Sequence, residues 1–210
     1  CIAVRVYGST EVPLVTYGWR ENPELAATTD GQLYAYEVKI FDDEGNELPE
    51  NSDGEIAARG PGMMLGYADP EQNREFHTDD GFFLTGDIGR ITPEGAILIT
   101  DRKKDIIIRG GENLSAKEIE DMLHHHPVIK EAAVVAMPHE RLGEGVCAFL
   151  ILHGQAEPLT QEDIASYTDK QNLARQKIPE RILIVEDLPR TPSGKVRKDV
   201  LRKQLREGIL

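Results

Sequence analysis

Asp101-Arg102-Lys103-Lys104-Asp105-Ile106-Ile107-Ile108-Arg109-Gly110-Gly111-Glu112-Asn113-Leu114-Ser115-Ala116-Lys117-Glu118 is the stretch on which the reading of this chain turns. A run of charged side chains gives way to an isoleucine triplet and a glycine pair. Ser115 and Glu118 then stand at the spacing of a capping box that opens a helix. Beyond it, Ile119, Met122, Leu123 and His126 recur at i, i+3, i+4, i+7, the pattern of one buried helical face. The polar run is also a step in charge. Residues 1–101 carry 20 acidic and 6 basic side chains, and residues 102–210 carry 17 and 18. Such a step predicts two separately built units, 1–101 and 106–210, joined through 102–105; an asymmetric single domain is the alternative.

Upstream of the step the apolar period is two. Tyr36–Phe41 alternates, Asp42–Glu47 reads as a turn, and Gly54–Arg59 as the returning strand. Phe82-Phe83-Leu84 runs into a sharp turn at Thr85-Gly86-Asp87, and Ala96–Ile99 follows the turn Thr92–Gly95. These pieces predict a small, twisted, barrel-like sheet. Downstream, strands are expected at 106–108, 132–137, 146–152 and 182–185. Helices are expected from Ser115, from the cap Thr160…Asp163 and from about Lys198, giving a compact α+β domain.

A 210-residue chain with 40% hydrophobic and 29% charged side chains has an ordinary globular composition. No apolar run approaches the roughly 18 residues that span a bilayer, and no signal-peptide layout opens the chain, so a cytoplasmic protein is expected. Cys1 and Cys147 are too few for a disulfide framework or a metal knuckle and read as reduced thiols. The acidic first half argues against nucleic acid. The basic cluster Lys195, Arg197, Lys198, Arg202, Lys203, Arg206 lacks interleaved aromatics and reads as a solvated helix face. Because the chain enters directly on a strand-like stretch, a fragment of a longer protein is expected.

Several places could carry chemistry. In Pro189-Arg190-Thr191-Pro192-Ser193-Gly194-Lys195, proline stiffens and glycine frees the backbone around a lysine that can reach a phosphate or carboxylate; an ordinary basic turn is the competing reading. Tyr7-Gly8-Ser9-Thr10-Glu11, after a strand-like Ala3–Val6, offers an aromatic ring, a close backbone approach, hydroxyls and a carboxylate fit for a hard cation, or simply a turn. Asp87 could accept hydrogen bonds from a ribose diol or could serve its own turn. Arg102 could reach the same sugar, a phosphate or a surface carboxylate. His124-His125-His126 cannot converge on one metal, since consecutive helix positions point about 100° apart.

Taken in order, Tyr7–Glu11, Gly54-Glu55-Ile56 with Gly66-Tyr67, Thr85-Gly86-Asp87, Asp101–Asp105 with Arg109–Glu112, and Pro192–Lys195 resemble the AMP-forming acyl-CoA ligase family. These adenylate-forming enzymes include luciferases and the adenylation domains of peptide synthetases. The resemblance implies an α/β fold in which a β-rich subdomain is followed by a mobile α+β lid. It implies that Tyr7 packs on adenine beside Gly8, Thr10 contacts the AMP phosphate, Glu11 helps hold Mg²⁺, Asp87 and Arg102 bind the ribose hydroxyls, and Ile99 lines the adenine pocket. Lys195 would bridge the substrate carboxylate and the α-phosphate.

The lid would turn about Lys104 between half-reactions, bringing Gly110 and Gly111 to the pantetheine of coenzyme A. No glycine- and hydroxyl-rich loop for the ATP β- and γ-phosphates occurs between Cys1 and Leu210, so it is expected upstream in the parent chain, with most of the acyl pocket. The expected reaction is ATP-dependent activation of a small carboxylic acid and its transfer to CoA, as in fatty acid metabolism. An aryl-acid adenylating enzyme feeding a carrier protein, and a non-catalytic module, are the alternatives.

Overall fold

The computed structural model describes residues 3–18, 21–154, 159–171 and 173–209, so Cys1 lies outside the described residues. The chain divides into two compact units, Cys1–Lys104 and Asp105–Leu210.

The first unit contains β1 (Thr16–Tyr17), α1 (Pro23–Thr28), β2 (Gln32–Leu33), β3 (Glu37–Phe41), β4 (Gly54–Arg59), α2 (Pro70–Glu75), β5 (Phe83–Ile91) and β6 (Ile97–Arg102). Strands β3 to β6 form an antiparallel meander in chain order, and the β1–β2 ribbon reaches it through a bridge between Gln32 and Ala96. Both short helices start as their sequences dictate. Asn22 and Asp69 cap them with side-chain oxygens, and each carries proline in its first turn, where no backbone donor is missed. Ile40, Ile56, Ala58, Phe83 and Ile97 pack with Tyr7, Val12 and Val15 into one core.

Two expectations change here. Ala3–Val6 joins no strand of the described structure. Thr85-Gly86-Asp87 is not a turn between strands but the middle of β5. The β4–β5 register slips between Glu55 and Ala57, which makes these residues a β-bulge. Gly86 sits there at φ 71°, a conformation other side chains enter only with strain.

The second unit contains β7 (Ile107–Arg109), β8 (Glu112–Leu114), α3 (Ala116–His124), β9 (Ile129–His139), β10 (Gly143–Leu152), α4 (Gln161–Lys170), β11 (Arg181–Ile184) and α5 (Lys198–Arg206). Central strand β10 pairs antiparallel with β9 and β7 and parallel with β11. It is covered on both faces, which is why Val146–Ile151 reads as an unbroken apolar run rather than an alternation. Val146, Ala148 and Leu150 meet Ile119 and Leu123 of α3 and Ile164 of α4, while Cys147, Phe149 and Ile151 share a core with Leu201 and Leu205 of α5. Ser115 caps α3, and Thr160 with Asp163 forms a full capping box at α4.

The histidines diverge. His124 and His125 each turn Nδ1 toward the carbonyl oxygen four residues back, at 2.7 and 2.6 Å, and His126 packs edge-on against Tyr167.

Candidate functional site

In the first unit the bulge assembles the side chains. Thr85 Oγ1 donates to the Ile56 carbonyl at 2.7 Å and accepts from the Asp87 amide at 3.2 Å, while the Gly86 amide donates to Glu55 Oε1 at 3.2 Å. Asp87 is thereby fixed on β5 opposite Arg102 on β6. Its two oxygens are divided between two donors. Tyr7 Oη donates to Oδ2 at 2.9 Å and Arg102 Nε to Oδ1 at 2.8 Å. A carboxylate has about four acceptor positions, so Asp87 keeps room for further donors such as a sugar diol. Burial first, and then the neighbouring Asp87 charge, push the Tyr7 phenol well above its ordinary pKa, so it stays a donor. The Tyr7 ring is 7% exposed and leaves little free face.

The hydroxyl-rich turn lies beside this network. Ser9 Oγ accepts from the amides of Glu11 and Val12, which curls the backbone, and donates to Glu11 Oε2 at 2.7 Å. Tyr67 Oη donates to the other Glu11 oxygen at 3.2 Å. The Ser9 hydrogen bond is the largest cause holding the Glu11 carboxyl below its ordinary range. Gly8 is required by the chain itself, because a Cβ there would lie 2.5 Å from the Leu14 amide nitrogen. Thr10 is exposed at the turn. Ile99 packs against the core that contains Tyr7, and its amide donates to Asp30 Oδ2 at 2.9 Å.

Among the described residues no three His, Cys, Asp or Glu side chains gather as a metal cage. Glu11 therefore fits Mg²⁺ only in the mode where one carboxylate shares the ion with phosphates and water.

In the second unit Lys195 stands exposed where the tight turn of residues 192–194 closes. The Thr191 amide donates to the Lys195 carbonyl at 2.8 Å, Thr191 Oγ1 accepts from the Lys195 amide at 3.1 Å, and Gly194 takes φ 88°. Arg190 braces this turn. Its Nη1 donates to the Gly194 carbonyl at 3.1 Å, and its Nη2 pairs with Glu131 on β9. Lys195 makes no ion pair with any described residue. Elsewhere in this unit Gly110 and Gly111 form the two-residue loop of the β7–β8 hairpin, at φ 60° and 87°. Positive φ at both central positions is what that connection demands. Lys104 is exposed in a single 3₁₀ turn, Lys103–Asp105.

Tyr7, Asp87 and Arg102 thus meet in one hydrogen-bond chain, with Glu11 in the adjoining turn. Sequence reasoning gave Glu55 no role. Its signal was available: an acidic residue ahead of Ile56-Ala57-Ala58 in a buried strand needs partners.

The family description "AMP-binding enzyme" matches residues 1–68, and "AMP-binding enzyme C-terminal domain" matches 118–195. The chain is 43% identical over 203 residues to a medium-chain fatty-acid–CoA ligase of Escherichia coli, covering 95% of this chain and 36% of that protein. A 2,3-dihydroxybenzoate-AMP ligase of Bacillus subtilis is 37% identical, covering 100% of this chain and 39% of that protein. The ATP-bound structure of MatB from Rhodopseudomonas palustris matches with a TM-score of 0.86 and 34% identity, over 95% of this chain and 40% of that one. The chain spans well under half the length of these relatives.

Proposed function

Because the chain belongs to the AMP-binding, adenylate-forming enzyme family, we propose that it contributes the ribose-binding side chains and the catalytic lysine of an AMP-forming carboxylic acid–CoA ligase. The observation that carries this reading is the Asp87 carboxylate, buried and held between Tyr7 and Arg102 with acceptor capacity left over. An acceptor fixed in that way suits a vicinal diol, whose two hydroxyls donate together. Ile99, partly buried against the core that contains Tyr7, contributes the apolar surface beside it.

The chemistry explains the lysine. A substrate carboxylate must attack the α-phosphorus of ATP, two anions approaching each other, with pyrophosphate leaving. A cation positioned where negative charge accumulates lowers that barrier. Lys195, exposed on a braced turn, supplies it, and Thr10 offers a hydroxyl to the AMP phosphate. Mg²⁺, held by Glu11 together with the phosphates, would neutralise further charge. Thioester formation places a thiol at the acyl carbon and expels AMP, and there Lys195 is no longer needed. The two steps are served by turning the lid about Lys104, with the Gly110-Gly111 hairpin facing the pantetheine arm.

The similarity to an aryl-acid AMP ligase supports a second reading, in which the acyl group passes to a carrier protein. Acid-dependent exchange of pyrophosphate into ATP, measured on the intact enzyme that carries this chain with and without CoA, separates the two. Exchange followed by acyl-CoA formation is the expected result. Exchange with no acyl-CoA for any acid tested favours the carrier-protein enzyme, and no exchange at all refutes both.

A further inference from the structure

Lys104 is flanked by two residues that are each tied down inside their own unit. Before it, Lys103 Nζ donates to Glu55 Oε2 at 2.8 Å and lies 3.5 Å from Asp43 Oδ1. Glu55 is no loose surface acid: its side chain is 10% exposed, and its other oxygen accepts the Gly86 amide of the bulge. After it, Asp105 Oδ1 accepts from Arg202 Nη1 of α5 at 2.7 Å, with side chains 11% and 19% exposed. One turn earlier on α5, Lys198 Nζ donates to Glu120 Oε1 at 2.8 Å, and that same oxygen accepts the Val134 amide of β9 at 2.6 Å. The Lys104 side chain pairs with no described residue.

Exposed ion pairs contribute little, but these carboxylates are about nine-tenths buried, where losing a partner leaves a charge uncompensated. The two pairs therefore hold their backbones. We propose that Lys103–Glu55 and Asp105–Arg202 are paired anchors that confine the change in backbone direction between half-reactions to Lys104. The proposal rests on the alternating-lid reading above. It makes Glu55 and Arg202 positioning residues. The second anchor has a further consequence: α5 begins three residues after Lys195, so Arg202 fastens the helix behind the catalytic turn to the moving end of the pivot. Whatever redirects Asp105 carries Lys195 with it.

The test has two arms. Hydrogen exchange of amides 103–106 in the intact enzyme should quicken about tenfold in Lys103→Gln and in Arg202→Gln, because each loses one charged hydrogen bond, and should return toward normal in Lys103→Arg and Arg202→Lys. In the intact enzyme the same glutamine variants should slow thioester formation while leaving the KM for ATP in the exchange reaction unchanged. A general loss of folding would move both. Unchanged exchange at 103–106 overturns the anchors, and so does loosened exchange with undiminished thioester formation. Should Arg202→Gln loosen its whole unit, the Lys103 variant, altered at a half-exposed side chain, decides alone. If the wild-type enzyme shows no acid-dependent pyrophosphate exchange, the ligase reading fails, whatever the amides do.

Discussion

Asp87 serves two masters on one carboxylate, the fold and the proposed ligand. Its oxygens satisfy a buried phenol and a guanidinium, and the same geometry keeps it aimed. Asp87→Ala should therefore weaken AMP binding by about 1.5–3 kcal/mol, the worth of a charged hydrogen-bond acceptor. Calorimetry on the intact enzyme reads this, and unchanged affinity would remove Asp87 from the site. Tyr7→Phe should cost less, because Asp87 keeps Arg102 and loses only one orienting donor. At this scale the sequence was legible where chemistry is local. Asp87 and Arg102 were identifiable as candidates from their residue types, but their direct pairing depends on β5–β6 register, which local spacing does not give. The pairing of Glu55 is not legible locally, because its partners, Gly86 and Lys103, lie 31 and 48 residues away.

Elements show the same division. The change of period at the charged run, the caps at Ser115 and Thr160 and the apolar run of β10 were all readable, since each follows from neighbouring residues. The bulge was not. Threonine, glycine and aspartate carry the same local turn signal whether the chain reverses or continues as a strand, and only pairing with β4 decides. Gly110 and Gly111 give a sharper case. Gly111→Ala must place a Cβ at φ 87°, which should lower stability by about 1–2 kcal/mol in a denaturant titration. No loss would mean the hairpin loop relaxes into another turn. Within β10, burial pushes the Cys147 thiol up to about 12, so it stays protonated and shielded at neutral pH. In a Cys1→Ser background, a thiol reagent should modify Cys147 only after denaturation, and rapid labelling of the native protein would contradict the packing of that face.

At the scale of the whole molecule, the chain divides after Lys104, close to the step where an acidic half gives way to a balanced one. Neither unit holds every group that the proposed chemistry needs. The proposed ribose-binding set lies in the first and the lysine in the second, and the proposed chemistry needs Lys195 in one half-reaction and not in the other. The decisive measurement is single-turnover kinetics of both half-reactions on Lys195→Ala in the intact enzyme. Removing one well-placed charge stabiliser costs on the order of 3 kcal/mol, so acyl adenylate formation should fall about a hundredfold. Thioester formation from preformed acyl adenylate should stay near the wild-type rate, whereas equal losses in both steps, or none in the first, would contradict the account.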